Sequence, residues 1–90
     1  MVYKWIKMSK IKDRLLSSLS QAALQLLGQR VREARLARRM TTSELAVRTG
    51  ISRSLVQRIE RGDPACAICA VFEAAAVCGV PLFETEPQAL

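Results

Sequence analysis

Histidine is missing from all 90 residues, which removes the commonest general base and a frequent metal ligand and argues against an enzyme. Aromatic residues are scarce: Tyr3, Trp5, Phe72 and Phe83 are the full set. No run alternates apolar and polar residues as a half-buried strand would, so a sheet has no signature here. No apolar stretch reaches the length of a signal peptide or a membrane span, and no membrane partner is expected. The three cysteines are too few and odd in number for a disulfide framework, which fits a reducing cytoplasm. Basic residues are also missing from one whole region. Residues 64–90 hold three Glu and no Lys or Arg, whereas residues 30–61 hold nine Arg against three Glu.

What is present favours one small helical domain. Half of the residues are apolar, enough for a modest core without metal or disulfide, and Ala, Leu, Arg, Gln and Glu dominate. Ile11, Leu15, Leu19, Ala22, Ala23, Leu26 and Leu27 recur at helical spacing, with Ser17, Ser18 and Gln21 opposite. The expected organisation is a basic extension with this amphipathic helix over residues 1–26, a domain over 27–83 and a flexible tail over 84–90. Gly28 should interrupt or bend the helical pattern, which then continues through Val31, Ala34 and Arg35 to about Arg39.

Two short helices are expected next. Thr41-Thr42-Ser43-Glu44 has the form of a capping box, and the helix it starts should end at Gly50. Ser52 caps a second helix that turns Leu55, Val56 and Ile59 inward and stops at Gly62-Asp63-Pro64. A last helix over Ile68–Val77 should bury Ile68, Val71, Phe72, Ala75 and Cys78, with Leu82 and Phe83 folding back on the core.

The window LAVRTGISRSLVQRIERGD carries the functional signal. Ala46 is small where a following helix crosses closely, Gly50 supplies the turn, and Val56 and Ile59 press the second helix onto the first. Arg53, Ser54, Gln57 and Arg58 are then left on the outer face. Arg donates bidentately to guanine and Gln pairs with adenine, so these four are the candidate base readers. Thr41, Thr42 and Ser43 at a helix start, with Arg48 and Arg61, are candidates for phosphate.

With these residues the sequence resembles the Cro and phage-repressor family, the xenobiotic-response-element type of regulator, over Leu27–Phe83. The resemblance implies a five-helix all-α DNA-binding domain, here with an extra N-terminal amphipathic helix, and a homodimer on a palindromic double-stranded operator. It also implies a structural ion pair between Arg35 and Glu60. A narrower resemblance, in ERGDPACAICAVFEAAAVCGVPLF, is to HipB-like antitoxins, and implies a HipA-like kinase toxin as partner and repression of a shared promoter. A protein-binding module that mainly engages a kinase, or a stand-alone repressor, are the alternatives.

Cys66 and Cys69 form a C-x2-C, but only Cys78 remains to join them, so no metal or other cofactor is expected and both read as small core-filling residues. The Ile11–Leu27 stripe reads as a cover for the domain core or as a partner-binding helix. The expected location is the bacterial cytoplasm, at the nucleoid.

Overall fold

The computed structural model describes residues 17–82, and the expectations for residues 1–16 and for Phe83 and the tail lie outside them. Within this range the chain forms four α-helices and no strand: α1 (Ser18–Ala37), α2 (Thr42–Thr49), α3 (Arg53–Glu60) and α4 (Ile68–Cys78). α2 and α3 pack on each other, and each also packs against a longer neighbour, α3 on α1 and α2 on α4. α1 and α4 close the ring.

The core at the centre of this ring is small. Val31 from α1, Leu45 from α2, Val56 from α3 and Cys78 from α4 are its largest fully buried side chains. Met40, Ala46, Ile59, Ala74 and Ala75 complete it. Full burial of a Val or Leu contributes about 1.5–3 kcal/mol, so each helix is held chiefly by one or two such anchors. Leu82 packs against the same cluster, as expected.

Gly28 does not break the first helix. α1 runs unbroken through it for 20 residues, so the expected boundary at residue 26 falls inside a single helix and no separate helix precedes it among the described residues. Gly28 is there for space: a Cβ would fall on the main-chain carbonyl oxygens of Ile59 and Glu60. α1 therefore crosses the end of α3 backbone to backbone.

α4 differs from expectation in its phase. Ala74, Ala75 and Cys78 face the core, while Ile68 is 68% and Phe72 38% exposed. Val71 is half-buried. The helix is apolar nearly all round, with Glu73 its sole charged residue. Without a polar face, spacing alone does not fix which side turns inward. The cysteines differ as well: Cys78 is buried, Cys66 half-buried and Cys69 exposed, so Cys69 fills no core. Burial raises the thiol pKa of both Cys66 and Cys78 above the ordinary value.

Candidate nucleic-acid interface

The site begins with a fully formed capping box. The Glu44 N–H donates to Thr41 Oγ1 at 3.0 Å, and the Thr41 N–H donates to Glu44 Oε1 at 2.7 Å. Thr41 is thus engaged in holding the helix, and of the three hydroxyl residues expected at a phosphate, Thr42 and Ser43 occupy the first turn of α2 itself. Ser43 is exposed and Thr42 half-buried.

α2 ends after eight residues at Gly50, which has φ +75° and ψ +17°. The Gly50 and Ile51 N–H groups both donate to the Ala46 carbonyl, at 2.9 and 3.2 Å, which folds the chain tightly back. A Cβ at Gly50 would meet nothing within 4 Å, so the left-handed conformation is what requires glycine here. Gly50, Ile51 and Ser52 form the whole connection between α2 and α3. Ser52 Oγ then accepts from the Leu55 N–H at 3.1 Å and starts α3.

Val56 and Ile59 bury one side of α3. At 3.6 residues per turn the opposite arc is Ser54, Gln57, Arg58 and Arg61, spaced i, i+3, i+4 and i+7, with Arg53 at the first helical position. Arg53, Ser54 and Arg61 are exposed, and Gln57 and Arg58 are half-buried. Arg48, in the last turn of α2, is exposed beside this arc in sequence. The expected site residues of the second helix thus share one surface.

Arg58 departs from the expectation of a side chain directed freely outward. Its Nε donates to Asp63 Oδ2 at 2.8 Å, while Asp63 Oδ1 accepts from the Ala65 N–H at 2.8 Å. The hydrogen bonds from Arg58 and from the Ala65 main chain hold the Asp63 carboxyl below the usual carboxylate range. The same pair raises the Arg58 pKa. From sequence alone Asp63 reads merely as part of a helix stop. The signal for its role was its position, five residues after an Arg on the outer arc and just past the helix end.

Arg35 and Glu60 form the pair that the resemblance implied, and with more bonds than a simple contact. Arg35 Nε and Nη2 donate to the two Glu60 carboxylate oxygens at 2.7 and 3.1 Å. Nη1 donates to the Met40 carbonyl at 2.8 Å. The two side chains are only 9% and 7% exposed. Their hydrogen bond outweighs the burial penalty and raises the Arg35 pKa. The end of α3 is thereby fixed to α1 and to the loop that leads into α2.

Two more features bear on the charge of this surface. Among the described residues, Arg35 and Arg58 are the arginines that form ion pairs. Arg38 lies over Gly79 at the end of α4, where a cation is favourably placed against the helix dipole. No three His, Cys, Asp or Glu side chains among the described residues are grouped to hold a metal.

A short helix, a three-residue turn and a second helix with an exposed basic and amide arc are the form of a helix-turn-helix, which points to a DNA-binding regulator. The chain belongs to the helix-turn-helix domain family, whose model matches residues 26–88. No curated protein and no solved structure matches it. Among the described residues no helix is long and apolar enough to cross a membrane.

Proposed function

We propose that this protein is a sequence-specific repressor that binds a palindromic operator as a homodimer, without catalysis, in the cytoplasm. The observation that carries the reading is the exposed arc of α3, set outward by Gly50 at one end and tied down by Arg35 and Glu60 at the other. Arg53, Ser54 and Gln57 read base edges in the major groove, where each good bidentate pair discriminates by about 1–3 kcal/mol. Arg58, steadied through Nε by Asp63, presents its terminal amino groups to the same edge. Thr42, Ser43, Arg48 and Arg61 hold phosphates on either side.

Selection of bound sites from random duplex DNA, followed by binding of Arg53→Ala to the selected and scrambled sites, tests this. The expected result is a two-fold-symmetric site, and a variant that loses preference for it while keeping most of its affinity for scrambled duplex. Equal loss on every sequence, or no binding to any duplex at low salt, overturns the reading. Partnership with a HipA-like kinase rests on the sequence from Glu60 to Phe83, and co-purification with a kinase encoded beside this chain is its test.

A further inference from the structure

The turn that closes α3 does more than stop a helix. The Gly62 N–H donates to the Ile59 carbonyl and the Asp63 N–H to the Arg58 carbonyl, each at 3.0 Å, with Gly62 at φ +78°. This pair of bonds is the Schellman motif, which returns the residue after the turn glycine to the side of the third residue from the helix end. A hydrophobic contact commonly fills that place. Here an ion pair does, Arg58 Nε on Asp63 Oδ2 at 2.8 Å.

The turn is itself fixed. A Cβ on Gly62 would fall 2.8 Å from Gln25 Cα, so the turn lies directly against α1. Asp63 is bonded through its main chain to the Arg58 carbonyl and through Oδ1 to the Ala65 N–H. Its carboxylate is therefore oriented before any ligand arrives, and Arg58 is gripped by a group that is anchored on the fold.

A planar guanidinium has two donor edges, one that includes Nε and one made of the two terminal amino groups. Asp63 takes Nε. No described residue bonds either terminal amino group of Arg58, so the second edge is left for a ligand. Two parallel donors fit O6 and N7 of guanine, whereas adenine presents one acceptor beside a donor. Arg48, Arg53 and Arg61 on the same surface form no ion pair with a described residue, so Arg58 alone among them is aimed by a carboxylate.

We infer that Asp63 is a positioning residue that makes Arg58 a dedicated guanine reader, a role that rests on the DNA-binding reading above. An unheld arginine on an exposed helix face swings readily to a phosphate, a contact that carries no sequence information. With Nε held and its charge partly offset, Arg58 is turned from backbone to base. The ordering of its long side chain is then completed on folding rather than on binding. An exposed pair of this kind adds little to stability, so its effect falls on recognition.

The test is site selection from random duplex DNA, then affinities for sites changed at single positions, using the full chain as wild type, Asp63→Asn, Arg58→Lys and the double variant. Wild type should prefer guanine at one position of each half-site by about 5- to 150-fold, the range of one bidentate pair. Asparagine offers one oxygen where two donors, the Ala65 N–H and Arg58 Nε, need one each. Asp63→Asn should therefore cut that preference by about 2- to 12-fold, the range for ordering one rotamer-rich side chain, and leave the other positions unchanged. Scrambled duplex should be bound as well as by wild type or better, because a negative charge is removed. Arg58→Lys keeps the charge without the fork and should lose the same guanine. In that background Asp63→Asn should change no base preference.

A wild type that selects a defined site, with Asp63→Asn keeping the full guanine preference, overturns this role and leaves the DNA-binding reading standing. Arg58→Lys with the preference intact does the same, as does an Asp63→Asn effect that persists in the double variant. Equal loss on every sequence, with helical content reduced in circular dichroism, would make Asp63 a structural residue only. A wild type that binds no duplex at low salt overturns both readings together.

Discussion

Arg35 has no donor nitrogen idle: all three bond to groups on other parts of the fold, two to Glu60 on α3 and one to the Met40 carbonyl before α2. Removing one partner of such a buried pair strands the other charge, which typically costs about 3–5 kcal/mol. Glu60→Ala should therefore lose about that much in urea unfolding, whereas Arg61→Ala, one residue on and exposed, should change stability by less than about 0.5 kcal/mol. The Arg58–Asp63 pair is of another kind, with side chains 39% and 31% exposed. Because the folded pKa of Asp63 lies below its ordinary value of 3.8, its stabilisation is complete above that pH and is lost as pH falls through the lowered value. Thermal unfolding of Asp63→Asn should accordingly show a shallower decline below about pH 4 than wild type, and parallel acid limbs would contradict the linkage. The two pairs were unequally legible. Arg35 and Glu60 sit at positions a family resemblance marks, while Asp63 follows a glycine and precedes a proline and reads from sequence as a simple breaker.

The short elements announce themselves in their caps. Thr41 with Glu44, Gly50, and Ser52 are local signals that need no tertiary context, and α2, the turn and α3 form where those residues place them. α1 and α4 were less legible because what decides them is distant in sequence. Gly28 reads as a helix breaker until Ile59 and Glu60 are seen to lie against it, and α4 lacks the polar face that would orient it. The two glycines make opposite cases. At Gly28, helix propensity favours alanine by about 1 kcal/mol, but the new methyl group would strike two carbonyl oxygens. Gly28→Ala should be destabilising by about 1–3 kcal/mol, the range for overpacking, and should loosen α1 from α3. Gly50→Ala meets no atom and should cost about 1–2 kcal/mol through backbone strain alone. Denaturant titration of both variants checks this, and a stabilised Gly28→Ala would mean that the two helices do not approach so closely.

At the scale of the molecule, the nine Arg between residues 30 and 61 make the proposed DNA contact depend on salt. Neutralising a phosphate releases condensed counterions, so log affinity falls against log salt with a slope of about −0.9 per contact. If each copy in a bound dimer places Arg48 and Arg61 on phosphates, Arg61→Ala deletes two contacts and the slope should become shallower by about 1.8. Arg53→Ala at a base edge should leave the slope nearly unchanged and alter sequence preference instead. Affinity of both variants measured on one salt series separates the phosphate holders from the base readers. A DNA affinity indifferent to salt would mean that the exposed arginines of α2 and α3 do not touch a phosphate backbone, and that the basic arc serves some other contact.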